Sequence, residues 1–168
     1  MKRRWYRTDE KENTIDFLEA TARFGAGRTK HKWKWIAISI HGALYGFAIL
    51  AVKGTDPASV VNNNRLIGIH DALRRCERDE FMLQYVGSRR LHMTGSERAS
   101  IQKLILDLRN GFHHFVPTLW SIEIRSIAKI LEDVCRVIKF LSLECGNVRL
   151  TPHQRRRVSS ALKRIEGI

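Results

Sequence analysis

An all-α helical bundle in a single domain is the fold class this sequence predicts, and three observations carry that expectation. Only 3 prolines and 11 glycines punctuate 168 residues, which favours long helices over many short strands. Apolar residues recur at three- and four-residue spacing along most of the chain, the period of a helix with one face turned to a core. Two segments, "TGSE" at 94–97 and "TPHQ" at 151–154, have the form of a capping box, in which a Thr side chain and a Glu or Gln three positions on satisfy each other's free backbone N–H groups. The expected bundle has about five to six helices. Residues 1–30 form a charged helix and loop, 31–145 the core, and 149–168 a basic C-terminal helix. No internal repeat and no hairpin are expected.

Taken in order, residues 9–24 predict a short amphipathic helix with Ile15, Phe17, Leu18 and Ala22 inward, and "GAGRTKHK" at 25–32 reads as a loop. From Trp35 to Val52 no Asp, Glu, Lys or Arg occurs. A helix apolar all round is either buried or membranous. The length lies at the lower limit for a span, and Gly42 and Gly46 make a GxxxG. His41, Ser39 and Tyr45 favour burial, as do the amphipathic helices that need something apolar to cover. The expectation is a central core helix whose two glycines admit another helix closely, one from a second subunit included. Residues 54–64 are a loop by composition, and 66–86 a broken helical region with Leu66, Ile69, Leu73, Phe81 and Leu83 inward. Thr94 opens a helix that presents Ile101, Leu104, Ile105 and Leu108. Pro117 disfavours helix for Val116, so a break is placed there and a new helix from about Thr118, with Ile122, Ile127, Ile130, Leu131, Val134 and Ile138 on its inner face. Thr151 and Pro152 start the last helix.

The formal charge is +13 and the isoelectric point near 10.3. Such an excess points to an anionic partner, nucleic acid before an acidic membrane surface. The cations cluster at the ends, in residues 1–34 and in the 149–168 helix, where Arg155, Arg156 and Arg157 stand together. Cys76, Cys135 and Cys145 form no CxxC pair and, with the histidines, no zinc-ligand spacing. Free thiols in a reducing cytoplasm are expected. Acidic residues follow the basic N-terminus where a secretion signal needs its apolar core. A Ser–His–Asp arrangement, a phosphate-binding glycine loop and a dinucleotide fingerprint are all absent from the sequence.

Candidate chemistry lies in "LRNGFHHFVPTLW" at 108–120. A histidine takes or gives a proton near neutral pH, and an arginine fork holds a phosphate and offsets charge developing on it. RNA brings its own nucleophile, the 2′-hydroxyl, so acid–base work and electrostatics suffice for cleavage, with no metal and no cofactor. The spacing alone is a weak signal. With 20 arginines and 7 histidines, an Arg followed by a His after a short gap arises roughly two or three times by chance, and Arg65 with His70 is another instance. An ideal helix separates Arg109 from His114 by about 140° around its axis, so the two converge only if the helix end is distorted or a second copy supplies one of them.

Context separates the two instances. Arg109, Asn110 and His114, with Phe115 after them and the run through Pro117 to "WSIE" at 120–123, together with "WKWIAISIHGALYGF" at 33–47, resemble the HEPN superfamily, in particular a stand-alone bacterial branch of it. The resemblance covers roughly residues 30–140. It implies a small helical bundle, a homodimer with paired Arg/His motifs facing one another, and metal-independent endoribonuclease activity in a toxin or defence component. A neutralising antitoxin or nucleotidyltransferase partner goes with that implication. His114 is then the acid–base residue, Arg109 orients and neutralises the scissile phosphate, and Asn110 holds the site by hydrogen bonding. His113, Arg155, Arg156 and Arg157 are candidate RNA contacts. A non-catalytic module binding RNA, DNA or a protein partner is the alternative, since the superfamily includes such members. The remaining residues have structural readings: His41 as a hydrogen-bonded core or interface residue, Trp120 as packing, and Glu123 as either a charge at a helix start or a partner for Arg109.

Overall fold

The computed structural model describes residues 4–114, 119 and 121–168, and they form an all-α bundle. The chain opens with α1 (Glu10–Ala26), whose N-cap Asp9 accepts a hydrogen bond from the Glu12 N–H at 2.8 Å. α2 (Lys32–Lys53) follows. Thr14 meets Gly46, Phe17 meets Gly42, and the Thr21 hydroxyl donates to Ser39 Oγ at 2.9 Å. These pairings rise along one helix and fall along the other, so α1 and α2 form an antiparallel hairpin. A Cβ at Gly42 would lie 2.7 Å from the Phe17 ring, and one at Gly46 would overlap the Thr14 side chain. The helix admitted by the GxxxG is therefore α1 of the same chain, not one from a second subunit.

α2 is long and apolar enough to cross a membrane by length and composition, and most of its surface is covered by the rest of the bundle. Ile36, Ile40, Leu44 and Phe47 are completely buried, each contributing about 1.5–3 kcal/mol by leaving water. Around them pack α1, α3 (Ile69–Cys76), the middle of the 95–113 helix and the later helix Ile124–Lys139. The short α4 (Asp79–Met82) completes the broken region expected over 66–86.

Between α2 and α3 the chain forms a two-residue hairpin that the sequence reading did not anticipate, β1 (Val61–Asn62) paired antiparallel with β2 (Arg65–Leu66). Its turn is Asn63–Asn64, with φ of 49° and 58°, the left-handed conformation that Asn tolerates better than other side chains. Leu66 and Leu83, both expected inward, are each 55% exposed. One sits on this surface hairpin and the other just past the end of α4, so neither belongs to a helix long enough to dictate a buried face.

α5 (Gly95–Lys103) starts at Thr94 with its full capping box. It passes through a π-helical stretch, Leu104–Arg109, and continues as α6 (Asn110–His113), so that the backbone leaves helix at His114. The expected break at Pro117, the packing of Trp120 and the aromatic Phe115 of the resemblance lie outside the described residues. α7 (Ile124–Lys139) begins later than the expected Thr118, with Glu123 at the N-cap and its carboxylate making no cap bond. Ile122 consequently precedes the helix, half-buried, while Ile127, Ile130, Leu131, Val134 and Ile138 are buried as the spacing demands. A second π-helical stretch, Phe140–Glu144, ends this element, and α8 (Pro152–Ile165) starts at Thr151 with a capping box closed by Gln154.

Polar ties fix the helices' relative positions. The fully buried Asp133 of α7 accepts from Ser96 at 2.8 Å, Ser100 at 2.6 Å and Lys129 at 2.9 Å, and also from Arg136. Burial pushes its carboxyl up, but the bonds from Ser100, Lys129 and Ser96 outweigh that and hold it below the ordinary value. Buried Asn147 donates to the Ala51 and Met82 carbonyls, both at 3.0 Å. Cys76, Cys135 and Cys145 are free and buried. Burial raises all three thiols, Cys135 to about 12, so they are inert as nucleophiles at neutral pH.

Candidate functional site

The two Arg-to-His spacings fall in different surroundings. Arg65 lies on β2 and His70 on α3, both exposed and on separate elements. Arg109 closes the π-helical stretch, and His113 ends α6 four positions later. Residues four apart in a helix share a face, and both side chains line one groove. His114 stands at the C-cap, exposed, its N–H donating to the Asn110 carbonyl at 2.8 Å. Its ring meets the His113 ring edge-on, with centroids 5.4 Å apart, and it is not among the groove's lining residues. Arg109 donates from Nη1 to Asn110 Oδ1 at 2.9 Å, so the asparagine steadies the guanidinium.

The groove has a volume of about 400 Å³, at the lower end of the range for small-molecule ligand pockets. Its floor is one face of α2: Ile38, His41, Gly42, Tyr45, Gly46 and Ile49 recur three and four positions apart. Phe17 and Thr14 of α1 line it as well, together with Arg109 and His113. The Tyr45 hydroxyl is tied to the Ile67 carbonyl at 2.5 Å. Helix α2 is thus buried on one side and half-open on the other, and the half-open side faces the candidate residues.

His41 belongs to this groove, which sequence reasoning did not see. Burial, and after it the charges of Arg109 and His70, push its imidazole down to about 4, so it is neutral at physiological pH. An isolated histidine in an apolar run carries no sign of what it will face.

The basic C-terminal helix divides into two kinds of arginine. Arg157 grips Glu19 through Nε and Nη2 at 2.9 and 2.8 Å and reaches Glu12 at 2.6 Å, joining α8 to α1. Its guanidinium holds both carboxyls below their ordinary value. Arg155 and Arg156 are exposed; Arg155 donates to the Leu143 carbonyl at 3.2 Å, and Arg156 makes no ion pair among the described residues. Of the three candidate phosphate contacts, Arg157 is thus engaged within the fold. Glu123, at the start of α7, is exposed and shows no ion pair with Arg109 among the described residues. No three His, Cys, Asp or Glu side chains among the described residues gather closely enough to hold a metal ion.

Fold and groove together define an all-α protein with a largely apolar cleft beside its central helix, lined by two histidines and an arginine. No known protein family, curated protein or solved structure matches the chain.

Proposed function

We propose that this protein is a metal-independent endoribonuclease of the HEPN type, acting in the cytoplasm as a homodimer. The observation that supports it most is Arg109 and His113 side by side on the wall of the groove, with His114 adjoining. Arginine there offsets the charge that grows on a phosphate during attack by the 2′-hydroxyl, and a histidine moves the protons. Asn110 holds Arg109 in place through the 2.9 Å bond. His114 is the acid–base residue by resemblance, and His113 is the one that shares Arg109's face.

Exposed Arg155 and Arg156 would gather RNA phosphates. A role as toxin or defence effector, with an antitoxin or nucleotidyltransferase as partner, belongs to the same reading. The test is cleavage of a labelled RNA oligonucleotide by the purified chain in excess EDTA, with Arg109→Ala as the control. We expect cutting by the wild type and none by the variant. A second reading, a non-catalytic module, draws on the same exposed cations and needs no histidine. Tight RNA binding without cleavage by the wild type would select it.

A further inference from the structure

We propose that His41 is a further catalytic residue: the general base that takes the proton from the 2′-hydroxyl, working within the same protomer as Arg109. The inference rests on the endoribonuclease reading and assigns the half of the proton transfer that the His113–His114 pair leaves open.

Cleavage without a metal needs two groups of opposite protonation, a base for the attacking hydroxyl and an acid for the departing oxygen. The groove holds histidines in two different settings. His41 is half-buried on the floor, while His113 is an exposed lining residue and His114, also exposed, adjoins it. The groups facing His41 all favour its unprotonated form. Arg109 comes from the end of the π-helical stretch and His70 from α3, and of the α1 residues in the lining Asn13, Thr14 and Phe17 are uncharged. The one carboxylate in the lining, Glu10, is paired with Lys53 at 2.5 Å. That pair sits 12 residues along α2 from His41, about 18 Å by helix rise. His41 therefore lacks the acidic neighbour that would keep it protonated.

The step balances as follows. The neutral ring nitrogen of His41 accepts the 2′-hydroxyl proton as the 2′-oxygen bonds to phosphorus. The bond from phosphorus to the 5′-oxygen breaks, and that oxygen takes a proton from the His113–His114 pair. Arg109 offsets the charge on the non-bridging oxygens. The products are a 2′,3′-cyclic phosphate and a 5′-hydroxyl, and solvent restores both histidines.

The experiment compares wild type, His41→Gln, His114→Ala and Arg109→Ala on an RNA oligonucleotide and on its analogue with a bridging 5′-sulfur, a leaving group that needs no acid. Folding of each variant is checked by circular dichroism. We expect His41→Gln to lower kcat by about 10²- to 10⁴-fold on both substrates, whereas the acid variant recovers on the sulfur analogue. The wild-type rate on the analogue should hold down to about pH 4 and fall below it as the base becomes protonated, read only where circular dichroism at the same pH shows the fold intact. That limb keeps the proposal testable even if His41→Gln fails to fold. A folded His41→Gln within threefold of wild type on both substrates overturns the base assignment alone, as does a wild-type limb far above pH 4. A wild type that cuts no RNA overturns the nuclease reading and this assignment with it.

Discussion

Gly46 and Thr14 touch across the α1–α2 hairpin so closely that a methyl group on the glycine would overlap the threonine side chain. The Thr14 hydroxyl is itself held by the Glu10 carbonyl at 2.7 Å, so it cannot swing aside without losing that bond. Gly46→Ala should therefore destabilise the fold by about 1–3 kcal/mol, the usual cost of overpacking a tight contact. Chemical denaturation of the purified variant measures it. An unchanged midpoint would mean that the two helices can separate without cost.

Acid should loosen the bundle at identifiable ties. The carboxyls of Asp133, Glu12 and Glu19 are all held below their ordinary values in the folded state. Groups of that kind contribute stability that is fully present above the unfolded pKa, about 4, and is lost as pH falls through the folded value. Stability should fall steeply below about pH 4. Asp133→Asn should cost about 1–3 kcal/mol at neutral pH by weakening the bonds from Ser96, Ser100 and Lys129. Part of the acid slope should go with it. Thermal melts at pH 7 and pH 3 on both proteins give the comparison.

Arg156 and Arg157 are adjacent in sequence and should behave as different residues. Arg157→Ala breaks the clasp on Glu12 and Glu19 and should cost about 1–2 kcal/mol of stability, between the values for exposed and buried pairs. Arg156→Ala should leave the melting temperature alone. If α8 meets single-stranded RNA, it should reduce the slope of log binding constant against log salt by about 0.7. Fluorescence anisotropy at several salt concentrations reads that slope.

Two histidines compete for one role. If proton transfer at this helix end follows the HEPN-like spacing, His114→Ala abolishes RNA cleavage and His113→Ala leaves it nearly intact. If it follows the helix face shared with Arg109, the outcome reverses. Either loss should amount to about 10²- to 10⁴-fold in kcat. Retained cleavage in the variant lacking both histidines would remove acid–base chemistry from this helix end.

What the sequence revealed was local. Thr94 with Glu97, and Thr151 with Gln154, announce their helix starts because both partners of each capping box lie within four residues. The uncharged run from Trp35 to Val52 announces a core helix because nothing else in the chain could bury so much. What stayed hidden depends on distant neighbours. Arg157 reads as a free cation until α1 is seen to bring Glu12 and Glu19 to it across more than half the chain. His41 reads as a core or interface residue until Arg109 and His113 are found to line the same groove. The outward turn of Leu66 follows from an Asn63–Asn64 hairpin too short to leave a pattern.

The π-helical stretch at Leu104–Arg109 has a geometric consequence of its own. A π segment is a helix holding one residue more than its turn requires. Everything after it is rotated by one residue's worth of twist, about 100°, relative to the buried residues before it. Arg109 and His113 owe their aim into the groove to that phase and not to their identity alone. Removing a single residue from the stretch would leave every side chain of the site in place in the sequence and turn the pair, as one piece, toward a different compass bearing.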